Sequence, residues 1–228
     1  MTQQKTSTDA VAQVEKSVGE IISKTDEFLD KHLKTIEIAI LAVVVIVVGY
    51  FAYRHFILLP REKEAQEVMF PAQSSFEYQQ WAVALNGDGS HVGFLEIIDE
   101  YGGTTSGNLA KAYAGLCQAH LGEYEAALDN LKSYNQNDQL FASQVIAAIG
   151  DCYVSSGDSQ TGVSYFEKAA KKAANTALSP LFLNKAAEVY TSLEEKEKAL
   201  KIYTKIQTEY PEFAAANAIE TYIERLKQ

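Results

Sequence analysis

Residues Ile38–Tyr53, IAILAVVVIVVGYFAY, hold sixteen positions without a charge, an amide or a proline. A soluble helix needs one apolar face, not an apolar circumference, so such a run belongs in lipid or inside a large core. Nothing near it in the chain is apolar enough to wrap it. At about 1.5 Å per residue it spans roughly 24 Å, short of the roughly 30 Å of bilayer hydrocarbon. Ile36 lengthens it on one side, and Phe56, Ile57, Leu58 and Leu59 on the other. The prediction is one membrane helix over 36–59. Ile38, Val45 and Gly49 lie in its apolar stretch. Tyr50 and Tyr53 fall where an aromatic belt sits, and Arg54 can carry its charge out to headgroups. Pro60 is expected to end or bend the helix. The run starts too deep for a cleaved leader, and no small-x-small site follows it.

The anchor divides the chain into a tail, 1–35, and a body, 60–228. In the tail, Val11, Val14, Val18, Ile22, Thr25, Leu29, Leu33 and Ile36 recur at intervals of three and four, one face of a helix that Asp9 can cap. Through Ile36 the tail carries five lysines and six acids. A helix that adheres to anionic lipid wants a basic polar face, so the reading is a partner helix or a plain leader to the anchor. Charge does not orient the anchor: Lys24, Lys31 and Lys34 before it balance Arg54, Arg61 and Lys63 after it.

The whole chain has a formal net charge of −10. Surfaces that neutralise phosphates are basic, so nucleic acid is not an expected partner. Four prolines, none between Pro71 and Pro180, and few alternating apolar runs predict an all-α body.

Three stretches of the body superimpose: Asn108–Gln139, a second starting at Ser143, and a third starting at Pro180. Gly115, Gly150 and Ala187 fall in one register, Ala127, Gly162 and Ala199 in another, and Leu131, Phe166 and Tyr203 in a third; Pro211 closes the last unit. Such periodicity predicts stacked helix pairs. The two small-residue registers are where the paired helices touch. LGEY and SGDS make the turns, with Gly122 and Gly157 at helix ends, whereas the third turn, LEEK, lacks glycine and is expected to be looser. This pattern resembles the tetratricopeptide repeat, a helix pair with small residues at its eighth and twentieth positions and a proline near its thirty-second. Before the three pairs, Glu62–Leu85 reads as one long helix with Met69, Phe70, Phe76 and Trp81 as anchors. Asn86–Ser90 breaks it, and a short helix follows through Tyr101, making a degenerate pair. After Pro211, Phe213–Leu226 reads as one capping helix with Ala216, Ile219, Tyr222, Ile223 and Leu226 inward, as a solenoid end requires.

Catalytic and metal chemistry find no residues. Counted from Asn86, the positions where a calcium loop needs Gly and Glu hold His91 and Ile97. His32, His55, His91 and His120 lie on separate segments, and GDGSHVG lacks the strand before it and the GK[ST] after it of a phosphate loop. No cofactor, metal or enzymatic activity is expected. Cys117 and Cys152 lie at one register, read as small buried side chains. A bridge is the alternative in an oxidising compartment, although helices packed 8–10 Å apart exceed the roughly 7 Å limit for bridged Cα atoms.

Carried over from the repeat resemblance, the first helices line a concave partner-binding face. That face would hold Ala112, Leu116 and His120, then Gln144, Ala147, Asp151 and Val154, then Asn184, Glu188 and Thr191. It reads as mixed, mildly acidic and without Lys or Arg clamps. The order of parts, with VGYFAYRHF closing the anchor, PREKEAQEVMFPAQSSF leaving it, then ALNGDGS, GFLEIIDEYGGT and NLAKAYAG, resembles the YfgM-like ancillary subunits of the SecYEG translocon in their Bacteroidota form. The resemblance implies an inner-membrane protein with a cytoplasmic tail and a periplasmic body. It implies SecYEG, a PpiD-type anchored chaperone and translocating chains as partners, and no catalytic residues. The alternative is an adaptor for another envelope complex, in secretion or outer-membrane assembly.

Overall fold

A computed structural model describes residues 32–35, 37–135 and 138–228. Every regular element among them is a helix, with one isolated bridge between Gly87 and Val92. The fold is an all-α helical repeat. The chain divides into two units, Met1–Leu59 and Pro60–Gln228. The tail's amphipathic face and its Asp9 cap lie outside the described residues, apart from 32–35, which are helical.

In the first unit, α1 (residues 37–53) is the exposed apolar part of a helix, His32–Glu77, that is long and apolar enough to cross a membrane, and none of its apolar window is buried in protein. Ile38, Val45, Tyr50 and Tyr53 are all more than half exposed. Exposure on every side is what lipid contact requires. Arg54–Leu58 form a π-turn, and the Leu59 N–H bonds the Arg54 carbonyl. The sequence reading had Pro60 ending or bending the helix. It does not end it: α2 (Leu59–Glu77) starts one residue before that proline and continues past it. Pro60 has no N–H to give, and widening the preceding turn is one way to accommodate that and its ring.

In the second unit α2 stops at Glu77, not at Leu85. Gln79 turns left-handed at φ 59°, and α3 is a separate helix, Trp81–Asn86. Met69 is buried, but Phe70 is 72 % exposed and anchors nothing. α4 (Phe94–Tyr101) follows. Three pairs come next: α5 (Thr105–Leu121) with α6 (Tyr124–Ser133), α7 (Phe141–Ser155) with α8 (Ser159–Ala173), and α9 (Leu178–Ser192) with α10 (Lys196–Glu209). The expected single capping helix is two, α11 (Pro211–Ala216) and α12 (Ile219–Lys227), divided at Ala218, φ 51°. Ile219 and Ile223 are buried, Ala214 takes the inward place expected of Ala216, and Ala216 is exposed.

One turn closes every first helix of a pair. Gln79, Gly122, Gly157 and Glu194 have φ of 59°, 82°, 96° and 59°. Each donates to the carbonyl three residues back, and the next residue donates five back: Gly122 to Ala119 at 3.2 Å and Glu123 to Gln118 at 2.8 Å, against Glu194 to Thr191 at 3.1 Å and Glu195 to Tyr190 at 2.9 Å. These are the bonds of a left-handed C-cap. The glycine-free LEEK turn is therefore as tight as the others, and the expectation of a looser cap was wrong. Gln79 puts α2 and α3 in the same pattern.

The small residues sit where paired helices cross. A Cβ on Gly150 would lie 2.8 Å from Phe166 Cε1 and 3.0 Å from the Gly162 carbonyl; one on Gly162 would lie 2.9 Å from the Gly150 carbonyl. A Cβ on Gly115 would lie 2.6 Å from Leu131 Cγ and 3.0 Å from the Ala127 carbonyl. Ala127, Ala187 and Ala199 are fully buried. Three apolar clusters follow in sequence. The first joins Met69, Leu85, Phe94 and Cys117, the second Leu131, Val145, Ile149 and Cys152, and the third runs from Ala147 to Ile223. α5 and α7 each serve two clusters, which is why their faces are alanine-rich. Contacts pass from neighbour to neighbour, as in a solenoid.

Candidate functional site

The exposed positions of the first helices are what remains after this packing. Ala112 and Ala147, expected on the binding face, are buried at 0 % and 3 % and belong to the core. Leu116, His120 and Asp151 meet in a groove of about 270 Å³ completed by Ala119, Tyr124, Ala148, Cys152 and Ser155. The His120 ring stacks on Trp81 of α3, centroids 4.1 Å apart and nearly parallel. Trp81 in turn meets Phe76 edge-on at 5.1 Å. The His120 ring that lines the groove is therefore backed by Trp81 and Phe76, residues the sequence reading had placed only as hydrophobic anchors.

Asp151 is not a free acid. Lys185 of α9 donates to both its oxygens at 2.8 Å, and the same ammonium sits 5.4 Å from the Phe166 ring centroid. Lys185 adds a cation that the sequence reading of this face had not named, and it is committed to Asp151. Lys185 was legible as the residue after Asn184 in the repeat register, but only its contact with Asp151 puts it on this face. Asn184 and Glu188 lie outside the groove, on α9, where the Asn184 amide donates to Glu188 at 2.7 Å. Asn184 Oδ1 is buried and has no hydrogen-bond partner among the described residues. Gln144 is exposed near the start of α7 and also lies outside the groove, its amide 3.4 Å from the Leu140 carbonyl.

The other candidate chemistries resolve into structure. In the Asn86–Ser90 loop, Asp88 Oδ1 accepts the His91 and Ser90 N–H groups at 2.8 and 2.9 Å, and these bonds hold its pKa below the usual carboxylate value. That oxygen serves an Asx-turn. Among the described residues no three His, Cys, Asp or Glu side chains converge on a metal-sized site. Cys117 and Cys152 are free and buried, and burial pushes their thiols up to about 12 and about 11. Thiols held that far from ionising are not nucleophiles near neutral pH.

At the start of α5, Thr104 Oγ1 accepts the Gly107 N–H at 2.9 Å. Glu62, on α2, accepts the Thr105 N–H and the Ser106 hydroxyl, each at 2.6 Å. Burial pushes the Glu62 carboxyl up, but the bonds from Ser106, Gln66 and Thr105 outweigh it and hold the pKa below the usual value. Arg61 beside it donates to the Glu100 carbonyl. Two adjacent side chains thus fasten α2, Arg61 to α4 and Glu62 to the start of α5.

Residues 185–212, from α9 to the start of α11, match the family model of the tetratricopeptide repeat. Repeats of this kind are protein-interaction scaffolds. No curated protein matches the chain.

Proposed function

We propose that this protein is a membrane-anchored scaffold whose first-helix face binds protein segments. The carrying observation is the tetratricopeptide-repeat match over residues 185–212, joined to the groove that Leu116, His120 and Asp151 line on the first helices. The groove takes an apolar side chain against Leu116 and Trp81-backed His120, while Gln144 and Glu188 offer polar contacts farther along. Binding of this kind needs no cofactor, metal or catalytic group.

The finer reading is an accessory, chaperone-like subunit of the SecYEG translocon, with the body in the periplasm, the tail in the cytoplasm and a PpiD-type chaperone as neighbour. It is supported by the resemblance of the anchor and the segments after it. Tethering raises the local concentration of the body beside emerging chains, so weak contacts suffice. Affinity purification in mild detergent tests it. SecY recovered in stoichiometric yield is the expected result; a different envelope complex in its place makes the protein an adaptor there and overturns the translocon assignment.

A further inference from the structure

A second surface lies on the opposite helices of the last two pairs. A cleft of about 740 Å³ runs between α8 and α10, with α9 as its floor. Leu183, Ile202 and Ala170 form an apolar base, buried to within 8 % exposure, and Tyr190 and Tyr210 stand at its sides. Its rim carries Lys171, Lys198, Lys201 and Lys205 against one carboxylate, Glu167, in a chain whose net charge is −10.

The four ammonium groups differ. Lys198 pairs with Glu195 and lies 5.2 Å from the Tyr190 ring centroid, and Lys205 reaches Glu209 at 3.9 Å. Exposed pairs of this sort are weak and yield to a better partner. Lys171, on one rim, and Lys201, on the other, have no ion-pair partner among the described residues. Glu167 is turned to the Tyr190 hydroxyl, whose pKa is raised by burial first and by that carboxylate second. The cleft thus combines an apolar floor with two uncommitted cations facing each other across it.

We infer that this cleft binds an acidic protein segment, with a bulky apolar side chain on Leu183 and Ile202 and carboxylates on Lys171 and Lys201. Its volume falls in the range of specific ligand sites. At physiological salt, charge is felt over about 8 Å, so the four rim lysines are set mainly against Glu167, Glu195 and Glu209 close by, and the more distant acids of the chain are screened. A nucleic acid would need a basic surface that continues beyond the cleft, and the acidic remainder of the protein denies it. This surface is independent of the first-helix face.

The test uses the full chain purified in neutral detergent and a fluorescent pentapeptide with a central phenylalanine flanked by paired glutamates. Controls replace the phenylalanine by serine, or the glutamates by lysines. Anisotropy is expected to show saturable binding that weakens at least tenfold for either control peptide. It should weaken at least tenfold again in the double variant Lys171→Gln, Lys201→Gln. Both side chains are exposed, so the variant should melt with the parent by circular dichroism. Peptide affinity unchanged in the variant, equal binding of the lysine peptide, or no binding of the acidic peptide overturns the inference. Lysine-dependent binding to phosphatidylglycerol vesicles with none to peptide overturns it in favour of a lipid site.

Discussion

Among the described residues, four without glycine's freedom stand in the left-handed region: Gln79, Ala174, Glu194 and Ala218. An L side chain there costs roughly 1–2 kcal/mol, more than glycine's loss of backbone entropy, about 0.5–1 kcal/mol. Glu194→Gly should therefore raise stability by up to about 1 kcal/mol, and Gly157→Ala, at φ 96° in the equivalent turn, should lower it by about 1 kcal/mol. Denaturant titration of both variants checks the signs; a destabilised Glu194→Gly would show that the turn is not the strained one. Gly150 and Asp151 make a sharper contrast. A leucine at Gly150 would collide with Phe166 and with the Gly162 backbone, and overpacking costs roughly 1–3 kcal/mol or more. Asp151→Ala removes only an exposed pair with Lys185, worth about 0–1 kcal/mol. Equal melting shifts for these adjacent positions would contradict the packing described for α7 and α8.

At the level of elements, the three regular pairs were legible because small residues recur at the crossings and two of the turns carry glycine. The misread boundaries share one cause. α2 ends at Gln79 and the capping segment divides at Ala218, both left-handed turns made by residues that give no glycine signal. The same turn at Glu194 was foreseen as looser for the same reason. Phe70 was misassigned because a long apolar-rich helix shows its period, not the face its neighbours cover. The candidate face was legible only by register: Leu116, His120 and Asp151 converge, while Ala112 and Ala147 are spent on the core. Trp81 and Lys185 join through contacts across 39 and 34 residues that no local pattern encodes. The fastening of α2 to α5 has its own test. The Glu62 pKa is depressed in the fold, so its stabilisation is present above the ordinary carboxylate value and is lost as pH falls through the folded one. Glu62→Gln should cost about 1 kcal/mol at neutral pH, as the loss of a helix cap does. Its melting temperature should begin to converge with the parent's as pH falls below the ordinary carboxylate value. A gap that stays constant down to pH 3 would remove the carboxylate from the fastening.

The whole molecule joins a lipid-ready helix to a solenoid that offers two chemically different faces. One is polar and aromatic, on α5, α7 and α9; the other is a basic cleft between α8 and α10. The proposed function rests on what the first-helix face touches. Site-specific photo-crosslinkers at His120, Gln144, Asp151, Asn184 and Glu188 of the full-length protein in native membranes read this directly. The account predicts capture of a translocon subunit, an anchored chaperone or a translocating chain at these positions. Probes at exposed Phe70 and Tyr78, on and just after α2, should capture less. Equal or stronger capture at Phe70 and Tyr78, with none along the first-helix face, would contradict it.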